Sequence, residues 1–350
     1  MELRLWRRVE QLARRIDAAN QQHDERVRLF VELRGHHHTG WGEVSPLLQA
    51  VGPDPSVNEV IDEFHSRVID TLCDVSQRDG QIPPWSRIHL LANSSASSKW
   101  AFAAVEMAVL DHELVTLNSN LNDYWQVDPT RVPRAATTSL LCFDANWSPP
   151  AGTQRVRLKT TSDADPARYV DAIAAWDTAI LLDFNGSADS AITVVAQVEA
   201  LASRVVIDAV EQPFAPGNLM AHAQLASELN VAVSLDESVK SMLDVRSIAR
   251  YGAAQLVCVK PPRVGGLAVA RSILAEAKQL GLRSYVGGFF ESPLARAAHA
   301  AVAAGFAVEA SDVSDVVTAD LSLKYAHRPV GVGFYPVGDD LELLCRRQII

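Results

Sequence analysis

Asp183, Glu211 and Asp236 stand 28 and 25 residues apart, each closing an apolar run, and Lys260 closes another such run 24 residues later. One strand-plus-helix unit of a (β/α)₈ barrel takes roughly 30 residues, and all of its strand ends open on one catalytic face. The spacing therefore predicts that three carboxylates and a lysine converge there. A single acid of this kind reads as a solvated strand end, but three on consecutive strands read as hard oxygen ligands. Mg²⁺ suits such a set, because it prefers octahedral oxygen coordination and leaves positions for substrate oxygens. Lys159 ends an earlier apolar run in Arg157-Leu158-Lys159, across the barrel from Lys260. Strand alternation points Arg157 and Lys159 to the same inward face. A neighbouring guanidinium disfavours a second positive charge, so Arg157 is expected to lower the pKa of Lys159 toward that of a useful base.

These residues need a barrel to position them. From about residue 135 short apolar runs alternate with helical stretches, the pattern of βα units on a parallel sheet. Eight strands are expected, at 136–142, 155–159, 179–183, 205–210, 231–235, 255–259, 283–286 and 306–309. Between the first two, Pro149, Pro150 and Gly152 leave little room for a helix. The fold class is α/β: a modified TIM barrel of (β/α)7β type over 135–324. An α+β capping domain over 1–134 precedes it, and a C-terminal segment, 325–350, is expected to pack back on that domain. Within the capping domain, 27–33 reads as a strand and the polar stretch 17–26 as a mobile loop. Residues 57–72 and 100–114 read as helices, with Ser97 and Ser98 as possible N-caps of the second. No internal repeat suggests a solenoid.

The 350 residues, 48% of them hydrophobic, suffice for a barrel of ~250 residues plus a second unit. A net charge of −10 and a pI near 5.5 disfavour nucleic acid and anionic membrane as partners, since both reward a basic face. Cys73, Cys142, Cys258 and Cys345 have no C-x-x-C spacing and read as reduced thiols. The charged N-terminus lacks an apolar signal core, and no run reaches the ~20 apolar residues of a membrane span, so a cytoplasmic protein is expected. His36, His37 and His38 alternate in direction if extended, and a loop is favoured over a metal site.

Several segments together carry a family resemblance. They are Gly40-Trp41-Gly42-Glu43-Val44-Ser45-Pro46, Ala104-Val105-Glu106-Met107-Ala108-Val109-Leu110-Asp111, Arg157-Leu158-Lys159, Asp183-Phe184-Asn185-Gly186 and Val210-Glu211-Gln212-Pro213-Phe214. Leu235-Asp236-Glu237-Ser238, Lys260-Pro261-Pro262-Arg263-Val264-Gly265-Gly266 and Gly287-Gly288-Phe289-Phe290-Glu291-Ser292-Pro293 complete the set. The chain resembles the enolase superfamily in its muconate-lactonizing branch, most closely the group of o-succinylbenzoate synthases and N-acylamino acid racemases. The resemblance implies Mg²⁺ bound by Asp183, Glu211 and Asp236, with Lys159 and Lys260 as catalytic residues flanking the carbon that loses its proton. A base then removes a proton α to a carboxylate and the metal stabilises the ene-diolate. Arg157, Asn185, Gly287, Gly288, Glu291 and Ser292 are expected to support the site or bind substrate; Glu291 reads equally as a support or as a cap of the next helix. Loops 17–26 and 40–48 would close over the barrel mouth.

The implied substrate is a small carboxylate. The favoured reaction is dehydration of 2-succinyl-6-hydroxy-2,4-cyclohexadiene-1-carboxylate to o-succinylbenzoate, a step of menaquinone biosynthesis. Racemisation of an N-acylamino acid or another epimerisation is the alternative, and a barrel that only binds is a third. The chain departs from the family at Arg157, where the first lysine of Lys-x-Lys usually stands, and the Asp-x-Asp of dipeptide epimerases is not evident in 314–320. The sequence does not set the oligomeric state.

Overall fold

The computed structural model describes residues 1–18, 21–140, 143–313 and 324–350. Alternation in the first 44 residues builds a sheet whose strand β2 is buried on both faces from 26 to 33. Strands β1 (Glu2–Ala18), β2 (Gln21–Arg34) and β3 (Thr39–Val44) pair antiparallel, and the distant β13 (Glu342–Gln348) adds to the free edge of β1, in the order β13-β1-β2-β3. Along β2, Val27, Leu29, Val31 and Leu33 are buried on one face and Arg26, Arg28, Phe30 and Glu32 on the other. The described residues of that stretch, 17–18 and 21–26, are thus strand rather than loop. Pairing runs out to Asp17 with Gln22 and Ala18 with Gln21, across an irregularity between Gln11 and Ile16. Its polar composition reads as a loop, but two polar edges that hydrogen-bond each other need no apolar content.

The helix Ala96–Thr116 packs on this sheet. Its cap is Ser95, whose side chain accepts from Ser98 N, not Ser97 or Ser98. The other helical stretch runs from Val57 to Asp79, interrupted by a π-helical turn at Phe64–Val68 and opened by a capping box between Ser56 and Glu59.

Seven parallel strands form the barrel wall: β4 (Arg134–Ser139), β5 (Thr153–Lys159), β6 (Ala179–Asp183), β7 (Ile207–Glu211), β8 (Ala232–Leu235), β9 (Leu256–Val259) and β10 (Arg283–Val286), in sequential order. No helix lies in the described part of the β4–β5 connection. The eighth position is filled only in part by 306–309, where Val308 N and Glu309 N both donate to Ser284 O of β10 at 3.1 Å. Phe306 ends the helix Pro293–Phe306, whose alanine-rich sequence and Ser292 cap carry helical backbone past the expected boundary. Ser311 closes the ring instead, donating to Pro133 O at 2.8 Å and accepting from Ala135 N at 3.0 Å, while Asp312 N reaches Val286 O at 2.9 Å. The far end expected for the first strand, 141–142, with Cys142, lies outside the described residues, as does 314–323. Inside the ring, Leu181, Ala209, Leu256, Cys258 and Tyr285 form a small apolar plug.

The tail strands β11 (Tyr325–His327) and β12 (Phe334–Pro336) pair antiparallel. Buried Asp111 ties this tail to the capping sheet, accepting from Val332 N at 2.7 Å, from Trp41 N at 2.7 Å and from Arg328. Among the described residues no helix is long and apolar enough to cross a membrane.

Glu106 joins the two halves. Its buried carboxyl accepts from Leu267 N and, at 3.1 Å, from Ala268 N, the first donors of the helix Leu267–Gln279. The N-cap there, Gly266, has no side chain to do this, and its backbone at φ +124° lies so close that a Cβ would meet Glu106 Oε2 at 2.1 Å. Burial pushes the Glu106 pKa up from 4.5 to about 8, against the pull of the two N–H groups and Arg271. A carboxyl whose folded pKa is raised loses stability as pH climbs from its unfolded value to its folded one, here from 4.5 to about 8. Glu106→Gln is therefore expected to remove up to roughly 1.4 kcal/mol per pH unit of that decline. Urea unfolding between pH 5 and 8.5 checks this; parallel pH curves for the two proteins would contradict it.

Candidate active site

Strand β5 sends Arg155, Arg157 and Lys159 into the barrel at alternate positions, a column of cations rising to the mouth. Arg155, lowest, pairs with Asp208 at 3.0 Å and lies over the Tyr285 ring at 4.5 Å. At the upper ends the strand register sets Lys159 beside Asp183, and Asp183 beside Glu211. Asp236 follows one residue past β8. All three acids are fully buried.

The guanidinium of Arg157 lies among them. Its Nε is 3.2 Å from Asp183 Oδ2 and 3.1 Å from Glu211 Oε2; its Nη2 contacts Glu211 Oε1 and is 3.1 Å from Asp236 Oδ2. Glu211 Oε2 also accepts from Tyr285 Oη at 2.6 Å. Nη1 looks away, toward Asp312 Oδ2 at 4.0 Å.

The lysines flank this cluster. Lys159 Nζ donates to Asn185 Oδ1 at 2.6 Å and is 3.3 Å from Asp183 Oδ2; Lys260 Nζ is 2.8 Å from Asp236 Oδ2 and 4.5 Å from the centre of the Phe289 ring. Burial works against the Lys260 ammonium, but the Asp236 carboxylate outweighs it and raises its pKa above the ordinary lysine value. Burial likewise opposes ionisation of Asp236, yet Arg263, Lys260 and Arg157 hold it well below the usual carboxylate range. Asp183 is lowered in the same way by Lys159 and Arg157. Glu237 behaves oppositely: burial, with the Asp236 charge beside it, raises its pKa.

Short side-chain links fix these positions. Gln212 Oε1 accepts from Asp236 N and Ser238 N, both at 3.1 Å, and so fastens the end of β8 to that of β7. Gln212 and Asn185, one and two residues past Glu211 and Asp183, have φ of +37° and +46°, unusual for residues with a side chain. Arg263 reaches Asp236 Oδ1 at 2.5 Å and Asp236 O at 3.0 Å, while its other edge grips Asp54 of the capping domain at 2.8 and 2.6 Å.

The Gly287–Ser292 segment is held from both sides. Glu291 accepts from Phe289 N at 2.8 Å and faces Arg296 and His299, each at 3.5 Å; it braces the loop and does not cap the next helix. Ser292 is the cap, and it also donates through N and Oγ to Glu43 of the capping domain, the former at 2.8 Å. Arg26 and Arg28 of β2 donate to Phe289 O at 2.8 Å and Phe290 O at 2.7 Å. A cavity of about 40 Å³ opens between Leu47, Asp54, Lys159, Lys260, Phe290 and Asp312. A larger concavity of about 800 Å³, near Asn120, Arg296 and Arg328, holds none of the acids or lysines of the site.

Asp54, Gln212, Tyr285 and Asp312 have no role in the sequence reading. Gln212 adjoins Glu211 in the chain, and that neighbourhood is a signal. Asp54 and Asp312 meet the site only through the fold. Nothing in the expected roles of Arg157 required that it touch the acids themselves.

The donor set fits a divalent ion of the Mg²⁺ kind. Asp183 Oδ2 is buried and faces two cations, Arg157 and Lys159, without a well-aligned hydrogen bond to either, and ligand atoms of Glu211, Asp236 and Cys258 lie within 4.8 Å of one another. Burial, with Asp236 nearby, pushes the Cys258 thiol up to about 12, so it stays protonated and leaves the carboxylates as donors. Arg157 is the one misfit. A divalent ion about 4 Å from a guanidinium is repelled by roughly 8 kcal/mol at an effective dielectric of about 20.

A family description, Enolase C-terminal domain-like, matches residues 147–331. The chain belongs to the enolase superfamily, in the branch of mandelate racemase and muconate-lactonizing enzyme. Members of that superfamily use a divalent metal, typically Mg²⁺. The chain is 39% identical over 88 residues to the o-succinylbenzoate synthase of Enterococcus faecalis, covering 25% of this chain and 24% of that protein. It is 32% identical over 194 residues to the N-succinylamino acid racemase of Thermus thermophilus, 52% of each. These matches thus span from a quarter to about half of the relatives' lengths. The crystal structure of the N-succinyl Arg/Lys racemase of Bacillus cereus superposes with a TM-score of 0.80 at 16% identity over 99% of both chains, a likeness of fold.

The Gly287 backbone lies close against Cys258 and Lys260. A Cβ there would stand 2.5 Å from Cys258 Sγ and 3.0 Å from Lys260 Cε. Gly287→Ala is expected to destabilise the protein by about 1–3 kcal/mol through overpacking. Adding Cys258→Ala should recover most of the loss in chemical denaturation; full stability of the single variant would contradict this packing.

Proposed function

We propose that this chain removes a proton α to a carboxylate in a metal-dependent reaction, and that the reaction is the dehydration of 2-succinyl-6-hydroxy-2,4-cyclohexadiene-1-carboxylate to o-succinylbenzoate. The observation that carries the reading is the unequal setting of the two lysines. Lys159 donates to the neutral amide of Asn185 at 2.6 Å and stands farther, at 3.3 Å, from Asp183 Oδ2, whereas Lys260 is clamped directly between Asp236 at 2.8 Å and the Phe289 ring. One serves as a base and the other as a fixed cation.

Asp183, Glu211 and Asp236 would hold the ion, which supplies positive charge where the substrate carboxylate accumulates negative charge during proton loss. Lys159 takes the α-proton while Lys260 faces the developing charge. Lys159 then gives that proton to the departing hydroxyl on the same face, so that water leaves and the ring becomes aromatic. Lys159 thus ends as it began. Asn185 holds the Lys159 ammonium between the two transfers, and the Glu291-braced loop keeps Phe289 beside Lys260. The substrate would enter below Asp54 and Leu47; residues 40–44, expected as loop, belong to β3, so only the segment 45–48 after it would shape the pocket.

Racemisation of an N-succinylamino acid is the second reading. It is favoured by the placement of Lys159 and Lys260 on opposite sides of the acids, the arrangement that proton exchange between two faces needs. The 32% identity to an N-succinylamino acid racemase points the same way.

With Mg²⁺, the cyclohexadiene substrate is expected to give an aromatic product seen by its ultraviolet absorbance. Lys159→Ala should lower kcat by roughly 10²–10⁴-fold. An N-succinylamino acid that takes up solvent deuterium, with no turnover of the cyclohexadiene, would replace dehydration by racemisation. Full activity of Lys159→Ala on either substrate would overturn the assignment of the base.

A further inference from the structure

Arg157 touches all three of the acids that would hold the ion. One edge of its guanidinium, Nε and Nη2, contacts Asp183, Glu211 and Asp236 together. A planar fork pairs with carboxylates at two points at once, which a lysine cannot do. Arginine also does not deprotonate in proteins, so it cannot make way by losing its charge. It can only move.

The structure offers it a place to go. Nη1, on the edge turned from the acids, already faces Asp312 Oδ2 at 4.0 Å. Asp312 is held by Arg296, whose Nη1 lies 3.5 Å from Oδ1 and donates to its carbonyl. Asp312 and Arg157 both border the cavity at the barrel mouth, so the path between the two positions stays inside the site.

We propose that Arg157 is an internal counter-ion that competes with the divalent metal for one seat, and that metal loading swings its guanidinium from the three acids onto Asp312. The inference rests on the reading of Asp183, Glu211 and Asp236 as metal ligands. It makes Arg157 a positioning residue that sets metal affinity, and Asp312 its second station. Metal affinity is then weaker than the three carboxylates alone would give, and the protein is less dependent on metal for stability.

Mn²⁺ titration of the EDTA-treated full chain, read by the electron paramagnetic resonance of free Mn²⁺, tests this without any activity assay. Arg157→Gln should bind Mn²⁺ at least tenfold more tightly than the wild type and melt at a lower temperature in EDTA. Arg157→Lys, which keeps the charge and should fold in EDTA, is expected to fall between. Asp312→Asn should weaken Mn²⁺ binding severalfold in the wild type and leave it unchanged beside Arg157→Gln. Binding that Asp236→Asn abolishes, but that neither Arg157 variant tightens, would overturn the competition alone. Binding indifferent to Asp236→Asn, or absent from every variant, would overturn the metal reading and the competition with it.

Discussion

Three ionised carboxylates cannot be buried side by side without cations among them. Each lies beyond the reach of water, and the cost of an unpaired buried charge far exceeds that of a hydrogen bond. Asp183, Glu211 and Asp236 are therefore surrounded by Arg157, Lys159, Lys260 and Arg263, two from one strand and two from the segment after β9. This neutralisation decides which side chains the inner faces of β5 to β9 must carry. It also leaves the lysines at the rim and arginine in the middle, where a charge that never titrates is needed.

The same charges bind the capping domain to the barrel. Arg263 holds Asp236 with one edge and Asp54 with the other, so the capping loop and a candidate ligand share one guanidinium. Arg26, Arg28 and Glu43 grip the Phe289–Ser292 backbone, and Glu106 closes a barrel helix from the far side. Polar contacts of this kind are directional, and a shift of one domain would leave several buried groups unpaired at once. The loop that carries Phe289 to Lys260 is accordingly a joint product of the two domains.

Much of this was legible in the sequence because it rests on short periods. The acids and lysines are found by strand-end spacing, and the barrel by alternating runs; seven of its strands fall where those runs lie. What failed depends on distant partners. The polar hairpin arm of β1 and β2 is paired by hydrogen bonds that composition does not display. The eighth strand was displaced because an alanine-rich helix outlasted its apolar period. Gln212 and Asp54 act across 24 and 209 residues, on Asp236 and Arg263. In sequence Arg157 is a neighbour acting on Lys159, yet its side chain makes its contacts with the acids, an outcome of geometry that no local pattern reveals.

The central claim is that the three strand-end acids form one cation seat. Crystals soaked in Mn²⁺, with data collected for anomalous scattering, test it most directly. One strong peak is expected, bounded by the carboxylates of Asp183, Glu211 and Asp236, with the Arg157 guanidinium turned to Asp312. A peak elsewhere, or none while Arg157 stays among the acids at saturating Mn²⁺, would contradict it.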